Sequence, residues 1–283
     1  MISTKKFLYY VTILLLLPSG VNSKDIFDFA LSLYQEQDYY RSISELKRFL
    51  YHFPDEKRAD EARLYVARNY FLAGQYGQGI RETANLKNSV KQNYFRDQLD
   101  LFLARDHMFL DDLPAAKSIL RQVEKDTSFE ELREEARFQF IWTDILARRW
   151  KEAREQVIRF SEQYPKTGYK EKSISLKDEL EKAADFTYLS PGLAGLFSAL
   201  LPGLGQVYCK RTGDGLVAFT MIALLSYGVY YYHENGPDGM FYGFAILDGI
   251  FYLGNIYTAV GSSLKYNRNM DNDFKLNLVN MYY

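Results

Sequence analysis

Residues 30–54, ALSLYQEQDYYRSISELKRFLYHFP, are one copy of a pattern that the chain writes four times. The pairs Asp38-Tyr39, Gln75-Tyr76, Asp112-Leu113 and Arg149-Trp150 stand 37 residues apart, and three residues after each comes a small side chain: Ser42, Gly79, Ala116 or Ala153. Twelve residues before those lie Ala30, Ala67, Ala104 and, as the exception, Ile141. Two antiparallel helices that cross closely need small side chains where they touch, so both positions have a steric cause. Larger apolar residues fill the layers beside them. Phe29, Val66, Leu103 and Phe140 precede the first small position, while Leu46, Leu120 and Val157, then Phe49, Leu86, Val123 and Phe160, follow the second at four and seven residues. That spacing is one helical face.

Over roughly residues 25–165 this pattern resembles the tetratricopeptide repeat. The first copy, and the fourth with its WKEAREQVIRFSEQYP (150–165), fit best, and each is closed by a helix-ending proline, Pro54 or Pro165. Copies two and three lack the proline, and Thr83 replaces the large apolar residue in copy two. The usual period is about 34, so the extra residues should lengthen the hairpin or its outgoing loop. Repeats of this longer kind resemble those of envelope assembly proteins, including the outer-membrane assembly lipoproteins. The resemblance implies an all-α fold, a four-repeat solenoid over 24–165. It also implies a groove lined by the first helix of each hairpin. Carried onto this chain, one groove row is Leu31, Arg68, Arg105 and Trp142, and its neighbour is Tyr34, Phe71, Met108 and Ile145. Arginines beside aromatic side chains and methionine suit a protein segment bearing carboxylates and apolar anchors. In the plainer alternative these side chains only pack neighbouring repeats, with Arg68 and Arg105 paired to local acids.

Met1 to Ser23 reads as a secretory signal: Lys5 and Lys6, an apolar run from Phe7 to Pro18, then small residues at Val21-Asn22-Ser23. An uncleaved anchor helix is the alternative, and it leaves the repeats on the same side. No cysteine stands near residue 24 for lipid attachment; the single cysteine is Cys209, so an intramolecular disulfide is excluded. With 35 basic and 36 acidic residues the formal net charge is -1, which argues against a general nucleic-acid binder.

Residues 166–187 read as a capping helix and linker, in which Ile174, Leu176, Leu180, Ala183 and Ala184 are available to cover the last repeat. A transmembrane module over 188–265 and a polar tail over 266–283 follow. PGLAGLFSALLPGLGQVY (191–208) and LVAFTMIALLSYGVYYY (216–232) contain no charge, and MFYGFAILDGIFYLGNIYTAV (240–260) contains only Asp248. A span needs roughly 20 apolar residues. The third stretch meets that length and the second is adequate; Pro202 and its flanking glycines leave the first open between a span and a re-entrant or surface helix. The module therefore has two or three transmembrane helices. Lys210, Arg211, Lys265, Arg268 and Lys275 mark one face, and HENGPDG (233–239) carries no Lys or Arg. The positive-inside tendency puts the basic face in the cytoplasm. A secreted solenoid then requires a third crossing at 188–208, with Tyr227, Tyr230, Tyr231, Tyr232, Phe241 and Tyr242 as an outer aromatic belt. SALLPGLGQVYCKRTGDGLVAF and FYLGNIYTAVGSSLKYN resemble the two halves of a small membrane module of bacterial envelope proteins, and more loosely TM2-type domains.

Asp248, Tyr252 and Asn255 form a polar stripe at i, i+4 and i+7 in the third stretch. Polar glue between helices, aided by close approach at Gly239 and Gly243, is the simple reading; a transport path is the other. Pro202-Gly203-Leu204-Gly205-Gln206 lacks the Lys-Ser/Thr ending of a phosphate loop. His52, His107 and His233 sit in no metal-spacing motif, and no nucleophile frame or cofactor motif is present. The sequence thus points to a non-enzymatic scaffold or adaptor of the cell envelope, without metal or cofactor. It would sit in the inner membrane with the repeats extracytoplasmic, bind other proteins through the groove, and self-associate through its membrane helices. A small oligomeric channel or transporter regulated by the repeats is the alternative.

Overall fold

The computed structural model describes residues 22–282, so the leader read at residues 1–23 lies almost wholly outside the described residues. Among the described residues there are thirteen α-helices and no strand. The chain divides into two compact units, Met1–Lys177 and Asp178–Tyr283.

In the first unit, α1 (Ser23–Gln35) pairs with α2 (Tyr39–His52), α3 (Ala59–Leu72) with α4 (Tyr76–Lys87), α5 (Asn93–Phe109) with α6 (Leu113–Asp126), and α7 (Glu130–Leu146) with α8 (Trp150–Gln163). Each helix packs on the next, and α3 also meets α5, and α5 meets α7, so the four hairpins stand in a row. The turn inside every hairpin is the same object. Gln37, Gly74, Asp111 and Arg148, spaced by 37, all have φ between 58° and 68°. At each of them the backbone closes a Schellman turn. The Asp38 N–H donates to the Leu33 carbonyl, Gln75 to Tyr70, Asp112 to His107 and Arg149 to Asp144, each at 2.9 Å. Asp38 and Asp112 then cap the following helix through the amides of Arg41 and Ala115.

Close helix crossing at the small positions is real. Ala30, Ala67, Ala104, Ser42, Ala116 and Ala153 are fully buried, and the Ser42 hydroxyl reaches the Ala30 carbonyl at 2.9 Å. Ile141, the larger exception, is buried as well. The expected apolar layers hold at Val66, Phe140, Leu46, Leu120, Val157, Phe49, Val123 and Phe160, whereas Phe29 lies at the open end of the row and is largely exposed. The residues beyond the usual period go to both places considered. They lengthen the connections at 53–58 and 164–169, which begin at the prolines, and they lengthen helices α5 and α7 to 17 residues each. A buried acid stitches the connection after α4 to α3: Asp60 accepts from the Lys91 and Gln92 amides and from Arg63 at 2.8 Å. One repeat later Asp97 accepts from the Thr127 hydroxyl.

Helix α9 (Lys170–Lys182) follows, with Tyr169 stacked on Phe138 at 4.5 Å and Ser173 and Leu176 buried; Ile174, expected to help cover the end, is exposed. In the second unit come α10 (Pro191–Leu200), α11 (Leu204–Tyr208), α12 (Thr212–Asn235) and α13 (Asp238–Tyr282). Helices α12 and α13 are long and apolar enough to cross a membrane. The stretch read as a polar tail is no separate segment: it continues α13 without a break to Tyr282.

A left-handed backbone costs an L-residue about 1–2 kcal/mol and costs glycine nothing comparable. Nothing stands within 4 Å of a Cβ placed on Gly74, so conformation alone decides there. Gly74→Ala should lower the stability of the hairpin row by about 1 kcal/mol and Gln37→Gly should raise it by a similar amount. Thermal melts of the two variants shifting in the same direction would show that the turn is not what fixes the hairpin.

Candidate functional site

The uncharged stretch 191–208 is not one continuous helix. Helix α10 runs into the unit along α13, the chain breaks at Leu201–Gly203, and α11 brings it back. The Leu189 amide and carbonyl both bond the Asn267 side chain, at 2.8 and 2.9 Å. A Cβ on Gly195 would touch Val260, and the Ala199 carbonyl accepts from the Tyr252 hydroxyl at 2.8 Å. On the way out, Gln206 meets Asn255 and Thr258, Cys209 meets Ala259, and Arg211 meets Ser262. The two arms close on each other where the Ser190 amide donates to the Tyr208 hydroxyl. From Asn267 to Tyr252 the hairpin descends roughly 20 Å at 1.5 Å per residue, less than a hydrocarbon core of about 30 Å. Of the two or three membrane-length helices the sequence left open, two are long and apolar enough, and 191–208 folds instead as a short hairpin on α13. Ten residues of α10 are too few, and the Pro202-Gly203 break reverses the chain before it can leave.

Residue types in Pro202–Gln206 have local causes. Gly203 has φ 84°, and a Cβ there would lie 2.0 Å from the Gly215 carbonyl oxygen at the α12 crossing. A Cβ on Gly205 would lie 2.1 Å from the Ala194 carbonyl and 2.8 Å from the Ala259 methyl. Gln206 is buried and fully engaged: its amide nitrogen donates to the Asn255 carbonyl, the Asn255 side chain and Thr258, each at 3.0 Å, and its oxygen accepts from Ser198. Asn255 in turn accepts from the Gly203 amide and donates to the Ser198 carbonyl. A five-residue helix holding buried polar groups is stable only because each group finds a partner. The two sequence halves, one ending in Gln206-Val207-Tyr208 and the other holding Gly254-Asn255-Ile256-Tyr257, meet in this network.

The polar stripe on α13 divides its work. Tyr252 and Asn255 hold the re-entrant hairpin, whereas Asp248 faces α12 and accepts from Ser226 at 3.0 Å. Gly239 and Gly243 have nothing within 4 Å of a Cβ, so they make no close approach; Gly228, packed against the Phe244 ring, does. Beyond it the aromatic residues cluster at the turn between the two long helices, with Tyr227 and Tyr231, His233 and Phe241, and Phe241 and Tyr242 in ring contact. The basic residues lie at the other end. Lys210 Nζ reaches the Tyr266 hydroxyl at 3.0 Å, and Phe186 and Tyr188 lie against Phe274 and Asp271 on the extension of α13. Leu189 and Lys210 thus share one end of the unit, where a third crossing would have put them at opposite ends.

In the first unit the groove positions separate. Arg68 is exposed, its guanidinium 5.2 Å from the centre of the half-buried Tyr34 ring, and it forms no ion pair among the described residues. Arg105 is committed: it pairs with Glu135 and lies over the Phe102 ring. Leu31 is half-buried against the first core cluster, and Phe71 packs on Tyr76, Phe102 and Phe109. Met108, Trp142 and Ile145 are buried and not open to a partner. A residue that the periodicity did not single out is Asp106. It is completely buried on the α5 face that meets Gly79, where a Cβ would strike its carboxylate at 2.3 Å, and neither oxygen has a hydrogen-bond partner among the described residues. Burial pushes its carboxyl up to about 8, with the Arg105 guanidinium opposing. Thr83, the departure in copy two, is the next buried polar group on α4. Asn69, Asp106 and Thr143 recur at 37, a buried polar column that a search for apolar periodicity passes over.

No protein family matches the chain, and a search of curated proteins finds none similar to it.

Two outcomes test these arrangements. In a Cys209→Ser background, Thr187→Cys and Gly213→Cys should react with an impermeant maleimide from the same side of sealed vesicles and Gly236→Cys from the other; opposite labelling of the first two would restore the third crossing. Asp106 binds its proton in the folded chain at pH values where the unfolded chain, with an ordinary carboxylate, has lost it. Stability should therefore fall as pH rises from about 4 to about 8 and level off above. Asp106→Asn should flatten that decline in melts at pH 5 and 8.5, and parallel curves for the two proteins would refute the buried acid.

Proposed function

We propose that the chain is a non-enzymatic, membrane-anchored scaffold of the tetratricopeptide kind, whose hairpin row receives other proteins while α12 and α13 hold it in a membrane of the cell envelope. The observation that supports this reading most is Arg68, an exposed guanidinium on the inner helix of the second hairpin. It is backed by Tyr34 and has no carboxylate of its own among the described residues. A guanidinium oriented by an aromatic face is preorganised for a carboxylate from outside. Arg105 no longer belongs to that offer, since Glu135 occupies it. The partner segment is therefore acidic and is read at the first two hairpins rather than along the whole row.

Within the second unit the chain comes in, at Leu189 and Ser190, at the same end as Lys210 and Arg211. The leader read at Met1–Ser23 favours the extracytoplasmic side for that end, against the positive-inside tendency. A long translocated domain follows its signal more than its flanking charges, which is why we keep the extracytoplasmic assignment.

Arg68→Glu should reduce co-purification of partners from cells roughly tenfold or more, because it sets like charges opposite each other across the contact. Circular dichroism should remain unchanged, since the side chain packs no core. A full partner set retained by Arg68→Glu would sink the groove reading.

A further inference from the structure

From Arg211 and Ser262 toward the Ser226–Asp248 bond, helices α11, α12 and α13 line an open cavity of about 580 Å3. Its deep walls are apolar: Val217, Met221 and Ile222 from α12, Ile250 and Phe251 from α13. Its opposite end is polar and carries Arg211, whose guanidinium donates to the Ser262 hydroxyl at 2.9 Å and pairs with Asp214. Both members of that pair are about half exposed. The polar groups along the middle, Gln206, Asn255 and Thr258, already satisfy one another, so nothing there calls for a polar ligand.

We propose that this cavity holds one acyl chain of a membrane phospholipid, with the chain end at Phe251 and the phosphate at Arg211. The polar-to-apolar axis of the cavity runs from the basic end of the unit toward its middle, as a lipid lies in one leaflet. A guanidinium carries five N–H groups, of which Ser262 and Asp214 engage two, so Arg211 at the mouth can also donate to a phosphate diester. The size falls within the roughly 300–1,000 Å3 of small-molecule sites. Outward-facing Leu224, Leu253 and Tyr257 put the cavity in a surface that lipid covers, so the ligand is supplied at high local concentration. The inference rests on α12 and α13 crossing a membrane.

The test uses the full chain extracted in mild detergent, washed repeatedly, and weighed intact by native mass spectrometry. A retained phospholipid mass, at one per chain, is expected. Met221→Trp and Gly254→Leu, which fill the cavity from opposite walls, should each lower retention by about tenfold or more, whereas Leu224→Trp on the exposed face should keep it. Gly254 has room for the change, since nothing stands within 4 Å of a Cβ there. Arg211→Gln should lower phospholipid retention more than that of an added fatty acid. No retained lipid in the wild type, or equal retention in the filled variants, overturns the proposal; a retained fatty acid mass in place of a phospholipid overturns the phosphate assignment. Carbonate extraction of the same cells separates the two failures, because release of the chain from membranes would show that the spanning reading itself is wrong.

Discussion

A hairpin of two helices can close tightly only if the chain leaves the first helix through a residue that accepts φ near +60°, and this chain supplies such a residue at Gln37, Gly74, Asp111 and Arg148. Once that turn is fixed, the crossing point of the helices is fixed too, about six residues to either side. Small side chains are then obligatory at Ala30 and Ser42 and at their equivalents. Three of the four turns use a residue with a Cβ, so the local backbone is held in place by the packing and by the Schellman bonds rather than by glycine's freedom. The row of hairpins is over-determined at its crossings and tolerant elsewhere. That tolerance lets extra residues pass into a connection in one copy and into a helix in another.

The second unit solves a related problem with the same device. The turn after α11 passes through Lys210 with φ 60°, and the Arg211 amide closes back on Gln206 as Asp38 does on Leu33. At the opposite end of the hairpin, the break at Leu201–Gly203 brings backbone groups into an apolar setting, where an unpaired donor or acceptor is costly. Gln206 and Asn255 answer that cost directly, by bonding the Gly203 amide, the Ser198 carbonyl and each other. The glycines at 203, 205 and 215 are what let the backbones come near enough for those bonds to form.

Periodicity made the four hairpins, their crossings and most of their core readable from the residues, because a helix face is a one-dimensional signal. The same signal carries no information on which side chain from another repeat will arrive opposite. Nothing near Arg105 announces Glu135, thirty residues away, and nothing near Trp142 or Ile145 announces that their face is closed. For Asp106 the clue was available in Gly79 and Thr83, the two positions of copy two that depart toward small and polar. It is faint, because Gly79 also fits the row of small positions and Thr83 reads only as a gap in an apolar layer. The course of 191–208 stays open in the sequence for another reason: absence of charge measures what a segment tolerates, and direction is set by the break at Pro202-Gly203.

The stripe Asp248, Tyr252 and Asn255 shows why one face of α13 needs three polar residues. The helix runs past two different neighbours, and the stripe winds with it: Asp248 faces α12, while Tyr252 and Asn255, one and two turns on, face the returning hairpin. Between those two sets of bonds α12 is held to the rest at Gly215, by close backbone approach, and at Ser226, by its bond to Asp248. The cavity opens there. Its position follows from the fastening points, since helices pinned at two crossings and lined by side chains as slight as Gly254 and Ala218 cannot fill the space that separates them.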